Sequence, residues 1–164
     1  MSRIEEIKNR VEENSKTLDD IVDSIIENYC KDLDRYVSFI KNCLMDGTNP
    51  PTDYELEDFC MNLSTLIYFA SGACEHLGIR DDISKEVYKE TYNQKRDEIK
   101  GTISDKDSYA ELNSQEEQVI NICYSRAYKI IKNKVDNAQE LLASCKKVLS
   151  RRIQELSMST GNSN

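Results

Sequence analysis

The sequence lacks several features that enzymes, exported proteins and membrane proteins commonly use. It has no tryptophan, one histidine, five glycines and two prolines among 164 residues. No Gly-rich phosphate loop, no zinc-type CxxC spacing and no run of 18 apolar residues occurs in it. These absences argue against a nucleotide-binding enzyme, a zinc protein and a membrane-spanning protein. Because glycine and proline are scarce while 32% of residues are charged, the composition favours long helices over sheets.

The cysteines occur singly, mostly at apolar positions of helical patterns, where thiols pack as small hydrophobic groups. They are Cys30, Cys43, Cys60, Cys74, Cys123 and Cys145. This placement favours reduced core residues, the alternative being a disulfide framework in an exported protein. The amino terminus, MSRIEEIKNR, continues into charged helix without the apolar region of a signal peptide. We therefore expect a cytoplasmic protein that needs no cofactor.

Apolar residues recur at spacings of three and four over most of the chain, which predicts an all-α fold. The predicted helices cover about 3–45, 53–77, 82–100 and 109–157. In the first of them Asn14 occupies an expected apolar position, and Thr17 with Asp20 offers a cap. One continuous helix and two helices broken near residue 15 are both consistent with this pattern.

Glycine, proline and capping residues predict where the helices end. Residues 46–51 contain Gly47 and two consecutive prolines, so they form a loop. Thr52 and Glu55 then have the spacing of a capping box that starts the second helix. Gly78 is predicted to end the second helix, and Gly101 the third.

Residues 63–74 are nearly uncharged and predict the central buried helix of a bundle, with a self-association face as the alternative. We predict one domain, 1–157, made of four to five amphipathic helices and followed by a flexible tail, 158–164. The last helix, 109–157, would be about 70 Å long at ~1.5 Å per residue. A helix of that length favours coiled-coil-like packing in a homo-oligomer.

Catalysis would have to use His76, the only histidine. Its neighbours Cys74 and Glu75 point in other directions on a helix, so they do not form a nucleophile or metal site with it. The carboxylate pairs Asp81-Asp82 and Glu116-Glu117 fit helix starts, where the macrodipole favours acids, better than a magnesium site. The sequence predicts neither an enzyme nor a metal protein.

Charge is distributed unevenly along the chain, although the net value is −8. Residues 1–120 carry 14 Lys and Arg against 27 Asp and Glu, whereas residues 121–164 carry 8 against 3. Lys and Arg neutralise phosphate and tyrosines stack on bases, so this basic segment predicts contact with single-stranded DNA. The candidate residues are Tyr124, Arg126, Tyr128, Lys129, Lys132, Lys134, Lys146, Lys147, Arg151 and Arg152. A solvated helix face, or pairing with the acidic part of the same or another protomer, would explain them equally.

The carboxy-terminal third begins with a short polar stretch and continues into a long helix whose apolar run carries basic residues. The matching positions are Thr102, Ser104, Asp105, Lys106, Asp107, Leu141, Leu142, Cys145, Leu149, Arg151, Arg152 and Leu156. In these features the chain resembles phage recombination mediators of the UvsY type. The resemblance implies an all-α homo-oligomer, in the cytoplasm of a bacterial host, that binds single-stranded DNA. It also implies partners, a RecA-like recombinase and the single-strand-binding protein that it replaces.

Two other functional classes fit the sequence. An acidic helical interaction protein, such as a phage inhibitor of a host nucleic-acid-binding or defence enzyme, would present its acidic surface to a basic partner. A virion or tail assembly component is the third hypothesis. A continuous basic stripe on the folded oligomer would favour the mediator, whereas an unbroken acidic face with the basic residues paired internally would favour the acidic interaction protein.

Overall fold

Four α-helices make up almost all of the described chain, which contains no β-strand. The computed structural model describes the backbone of residues 3–45 and 49–161 and the side chains through Met158. The helices are α1 (Arg3–Met45), α2 (Asp53–Glu98), α3 (Ile103–Asn113) and α4 (Gln115–Gly161). The predicted all-α bundle with a long carboxy-terminal helix is confirmed.

Helix α1 is continuous through the position near residue 15 where the sequence also allowed a break. The Ser15 hydroxyl donates to the Glu12 carbonyl oxygen at 3.1 Å, so this polar side chain is satisfied within the helix. Asn14 and Thr17 lower helix propensity by only a few tenths of a kcal/mol each, on the order of the usual spread. The apolar face that resumes at Val22 and Ile26 is buried and offsets that loss.

The predicted start of the second helix is confirmed. Asn49 to Thr52 are not helical, and Asp46 to Thr48 of the predicted loop lie outside the described residues. The Thr52 amide donates to Glu55 Oε2 at 2.7 Å, and the Glu55 amide donates to Thr52 Oγ1 at 3.3 Å. These are the two reciprocal bonds of a capping box. The backbone and hydroxyl hydrogen bonds from Thr52 lower the pKa of Glu55.

The predicted end of the second helix at Gly78 is wrong, because α2 continues to Glu98 and includes the predicted third helix, 82–100. Gly78 does not adopt the left-handed backbone of a helix cap. A Cβ atom at this position would lie 3.2 Å from Cε2 of Tyr128. The absence of a side chain at Gly78 therefore lets the Tyr128 ring of α4 approach α2 closely. The sequence around Gly78 does not indicate this contact.

The predicted helix 109–157 is interrupted at Ser114, whose φ of −120° and ψ of 19° separate α3 from α4. The buried Ser114 hydroxyl donates to the Ala110 carbonyl at 2.8 Å, and Asn113 Nδ2 donates to the Tyr109 carbonyl at 2.7 Å. Such side-chain bonds compete with the helical ladder and bend or end it. Helix α3 starts at a second capping box, formed by Thr102 and Asp105.

Helix α4 continues past the predicted end at residue 157, to Gly161. The remainder of the predicted tail, 162–164, lies outside the described residues. No described helix combines the length and hydropathy that a membrane span requires.

The chain divides into two compact units, and the prediction of one domain, 1–157, stays a prediction. The first unit contains the described part of Met1–Tyr29 together with Cys74–Ile131, and the second contains Cys30–Ala73 with the described part of Lys132–Asn164. The first core is formed by Val22, Ile26, Cys74, Leu77, Ala110, Cys123, Ala127 and Ile131. The second core is formed by Cys30, Leu33, Ile40, Leu56, Phe59, Leu63, Ile67, Ala70, Val135, Ala138 and Cys145.

The uncharged middle of α2 is buried on one face only. Leu63 and Ile67 are buried in the second unit, whereas Met61, Tyr68 and Phe69 expose 71%, 75% and 66% of their surface. The prediction of a central buried helix is therefore corrected to a helix with one buried face and one exposed apolar face.

Candidate functional site

A buried polar network joins α2 to α4 in the first unit. Asp81 is only 5% exposed and accepts hydrogen bonds from the Ser125 hydroxyl and from Lys85 Nζ, the latter at 2.6 Å. One turn along α2, Ser84 accepts a hydrogen bond of 3.0 Å from Asn121 Nδ2. The spacing of residues 81, 84 and 85 puts them on one side of the helix. These bonds fix the register of α4 against α2.

The Asp81 carboxylate stays ionised in this network. Burial raises its pKa, but the hydrogen bonds from Lys85 and Ser125 outweigh burial, so the pKa lies below its ordinary value. The hydrogen bond to Asp81 likewise raises the pKa of Lys85. A carboxylate held ionised by two donors orients helices and is not poised to accept a proton near neutral pH. Asp81 also lies mid-helix, so the helix-start explanation for the Asp81-Asp82 pair is wrong.

An open groove of about 500 Å³ lies between α2 and α4 on the first unit. Its lining residues are Arg80, Ile83, Ser84, Val87, Glu116, Glu117, Ile120 and Tyr124. Ile83, Val87 and Ile120 expose 57%, 46% and 47% of their surface. Single exposed apolar side chains are ordinary, but three that line one concave surface make it a candidate binding site.

The rim of this groove carries opposite charges. Glu116 and Glu117 lie in the first turn of α4, where the helix macrodipole stabilises them. Arg80 donates to the Tyr29 hydroxyl, and its guanidinium carbon lies 5.6 Å from the centre of the Tyr29 ring. The sequence of the first unit contains 13 Lys and Arg against 20 Asp and Glu. The first unit therefore has a net negative charge, and two of the three charged residues that line the groove are glutamates.

Several of the cations predicted to bind nucleic acid contact acidic or carbonyl oxygens of the chain itself. Lys134 Nζ lies 2.6 Å from Asp34 Oδ2. Arg152 Nη1 donates to the Pro51 carbonyl at 2.6 Å and to Asp53 Oδ1 at 3.0 Å. Arg151 forms a longer exposed pair of 3.6 Å with Glu155. At least two of these cations, Lys134 and Arg152, therefore connect helices of the second unit.

The other predicted cations are exposed and form no ion pair within the part of the chain that the structure describes. They are Arg126, Lys129, Lys132, Lys146 and Lys147. Lys132 and Lys146 are about 21 Å apart along α4 at ~1.5 Å per residue. The exposed acids Asp136 and Glu140 lie between them in the helix. The basic residues thus form two separate groups and not a continuous stripe.

The two tyrosines of the predicted stacking platform are placed elsewhere. Tyr124 lines the apolar groove, and Tyr128 is half-buried with its ring against Gly78. Neither ring is fully exposed for base stacking. This groove was not predicted from the sequence, because its apolar residues Ile83 and Val87 lie beside the buried positions Asp81 and Ser84 and meet Ile120 of α4 only in the fold.

Among the described residues, no group of three His, Cys, Asp or Glu side chains could hold a metal ion. His76 is exposed. Four cysteines are buried, Cys43 and Cys60 are half-buried, and all six are free thiols. Burial raises the pKa of the Cys60, Cys123 and Cys145 thiols, which is the opposite of what a nucleophile needs.

A scan against protein-family models, a search of curated proteins and a search of solved structures each found no match to this chain. The groove and the two basic groups of α4 therefore have to be interpreted from their own chemistry.

Proposed function

We propose that this chain is a non-enzymatic helical interaction protein whose α2–α4 groove binds an amphipathic helix with basic flanks. The observation that carries the proposal is the concave surface on which Ile83, Val87 and Ile120 each expose about half of their area beside two glutamates. An amphipathic helix fills such a groove with side chains at positions i, i+3, i+4 and i+7. The function corresponds to the acidic interaction protein considered from the sequence.

The expected affinity is low. Burial of the three aliphatic side chains, each about half exposed, would contribute on the order of 1 kcal/mol each, which is about half of the 1.5–3 kcal/mol for full burial. The partner's anchors contribute a similar amount, so the apolar contribution is about 6 kcal/mol before association costs, and binding should be no tighter than roughly 0.1 mM. Basic flanks on the partner would meet Glu116 and Glu117, so the association rate should fall as salt rises.

A peptide titration tests the groove. The probe is a fluorescein-labelled designed helix of 18 residues with leucines at i, i+3, i+4 and i+7 and lysine flanks, followed by fluorescence anisotropy. We expect saturable binding that Ile83→Asp weakens at least tenfold. Ile103→Asp is the matched control, because Ile103 is 71% exposed on α3 and does not line the groove. Equal binding of a glutamate-flanked version of the peptide, or of the Ile83→Asp variant, would overturn the proposal.

A second candidate function is contact with single-stranded DNA, as expected of a recombination mediator that works with a recombinase or a single-strand-binding protein. What supports it is the resemblance of the carboxy-terminal third together with the exposed cations of α4 that have no ion pair among the described residues. Because phosphate contacts release counterions, binding through them should weaken steeply with salt.

Anisotropy with a labelled oligothymidylate at low and moderate salt tests this candidate. Lys146→Glu combined with Lys147→Glu should weaken binding by more than tenfold. Lys41→Glu, at an exposed lysine of α1, is the control for a general charge effect. Absence of saturable binding at low salt, or an equal loss in the control, would exclude the DNA-binding candidate.

A further inference from the structure

The exposed side of α2 in the second unit presents an apolar surface that the described residues leave uncovered. We define the α2 outer face as Met61, Thr65, Tyr68, Phe69 and Gly72. The three large side chains in it expose between 66% and 75% of their surface. Tyr68 and Phe69 form an edge-to-face pair with ring centres 5.5 Å apart. No charged residue occurs from Met61 to Cys74.

The area of this face is sufficient for a weak specific contact. Side chains of this size expose about 200 Å² each when free, so roughly 70% exposure of three of them leaves on the order of 400 Å². That equals the largest apolar patch of a typical monomer, which is often an interaction site. Two such faces would bury about 800 Å² and somewhat more with their flanks, at the low end for specific interfaces. The contact should therefore be weak and reversible.

The shape of the face is complementary to itself. Residues 61, 65, 68 and 72 have spacings of four, three and four, which are symmetric about the midpoint between residues 66 and 67. An antiparallel contact about a two-fold axis at that point would place Met61 against the partner's Gly72. It would place Tyr68 against the partner's Thr65. Met61 and Tyr68 then each meet a smaller residue.

Gly72 leaves the space that this pairing needs. A Cβ atom built on it would meet nothing within 4 Å, whereas the corresponding atom at Gly78 would touch Tyr128. The α2 outer face contains no charged side chain that could pair with a charged residue of a partner. Burial of an unpaired charge against this face would be costly. A second copy of the same face supplies both the apolar surface and the matching shape. This favours self-association over a partner of another chemistry.

We propose that the α2 outer face forms an antiparallel two-fold dimer with a second copy of this chain. The contact does not involve the α2–α4 groove, so either proposal can fail without the other. It also has the opposite dependence on salt. Apolar association persists or strengthens as salt rises, whereas contacts of the acidic groove and of the α4 cations weaken.

Sedimentation of the full chain from about 1 to 300 µM, under reducing conditions and at moderate and high salt, tests the proposal. We expect a reversible monomer–dimer equilibrium. Gly72→Met would place two methionines against each other and weaken the dimer at least tenfold. Asn133→Met, at an exposed position of α4, should leave the equilibrium unchanged. A thermal midpoint of Gly72→Met no lower than that of the original protein would show that the monomer still folds.

A swap of the two opposed residues tests the register. In the double variant Met61→Gly with Gly72→Met, the large and small residues exchange places, so the two-fold contact regains its complementarity. We expect the double variant to dimerise at least tenfold more tightly than Gly72→Met alone. A chain that is monomeric at every concentration, a dimer that Gly72→Met leaves unchanged, or a double variant no tighter than the single one would each overturn the proposal.

Discussion

Replacing the two glycines of α2 with alanine should have opposite consequences for stability. Gly72 and Gly78 lie in the interior of the same helix, and neither adopts a left-handed backbone conformation. Alanine at either position removes the same conformational cost, which is about 1 kcal/mol in a helix interior. The two sites differ in what the new methyl group meets, which is open space at Gly72 and the Tyr128 ring at Gly78.

The expected magnitudes follow from those surroundings. Gly72→Ala should raise the free energy of unfolding by about 0.5–1 kcal/mol. At Gly78 the methyl group would lie 3.2 Å from Cε2 of Tyr128, so the half-buried ring must move by a few tenths of an ångström. Crowding of this kind costs roughly 1–3 kcal/mol, which cancels or exceeds the gain in helix propensity. Gly78→Ala should therefore be neutral or destabilising.

Urea unfolding at low micromolar concentration measures both variants, and Tyr128→Leu supplies the control background. Without the ring, Gly78→Ala should become stabilising, with a coupling free energy of about 1 kcal/mol or more. A gain at Gly78 equal to that at Gly72 would show that Tyr128 does not approach the helix. An equal loss with and without the ring would indicate a helix end at Gly78, contrary to a continuous α2.

Three further predictions concern the buried network, an ion pair and the thiols. Asp81→Asn should lower the free energy of unfolding by about 2 kcal/mol at neutral pH. Because the pKa of Asp81 is lowered in the folded protein, the stability difference between the original protein and the variant should be complete above about pH 5 and should shrink below about pH 4. Urea unfolding at a series of pH values measures it. A difference that persists undiminished at pH 3 would contradict the ionised carboxylate. A double-mutant cycle on Lys134 and Asp34 should give a coupling of about 0.5–1 kcal/mol, and zero coupling would mean that their bond is not formed in solution. Cys123 and Cys145 should react with a thiol reagent only at the rate of global unfolding, and fast modification in the native protein would refute their burial.

The helices could be predicted from the sequence where the contacts that define them lie close together in the chain. The period of apolar residues and the Thr52–Glu55 box depend on residues within one or two turns, and both were predicted correctly. The role of Gly78 depends on Tyr128, which is 50 residues away in the sequence. The helix is interrupted at Ser114 because this side chain, among several polar ones nearby, forms a hydrogen bond with the helix backbone. The segment contains no proline or glycine, so nothing in the sequence indicated the interruption.

The candidate site was only partly readable for the same reason. The exposed lysines of α4 follow from helical spacing, but the pairing of Lys134 with Asp34 joins residues 100 positions apart. The groove combines Ile83 and Val87 of α2 with Ile120 of α4, so no single segment contains its pattern. The charge asymmetry along the sequence did indicate an acidic part and a basic part. Only the fold shows that some of the basic part is paired within the chain.

The salt dependence of each interaction separates the proposed surfaces. Binding at the groove and at the α4 cations should weaken between low and moderate salt, whereas dimerisation through the α2 outer face should not. Because the three surfaces share no residue, variants in one should leave the other two interactions intact.

Methyl NMR of the full chain, labelled on isoleucine and valine and titrated with the lysine-flanked peptide, tests the groove most directly. We predict saturable shifts of the Ile83, Val87 and Ile120 methyl groups and constant positions for Ile103 and Ile153, which are exposed outside the groove. The Ile83→Asp variant should lose these shifts while its remaining spectrum is retained. Unchanged groove methyl groups at saturating peptide, or shifts of the same size with the glutamate-flanked peptide, would contradict a groove that binds basic amphipathic helices.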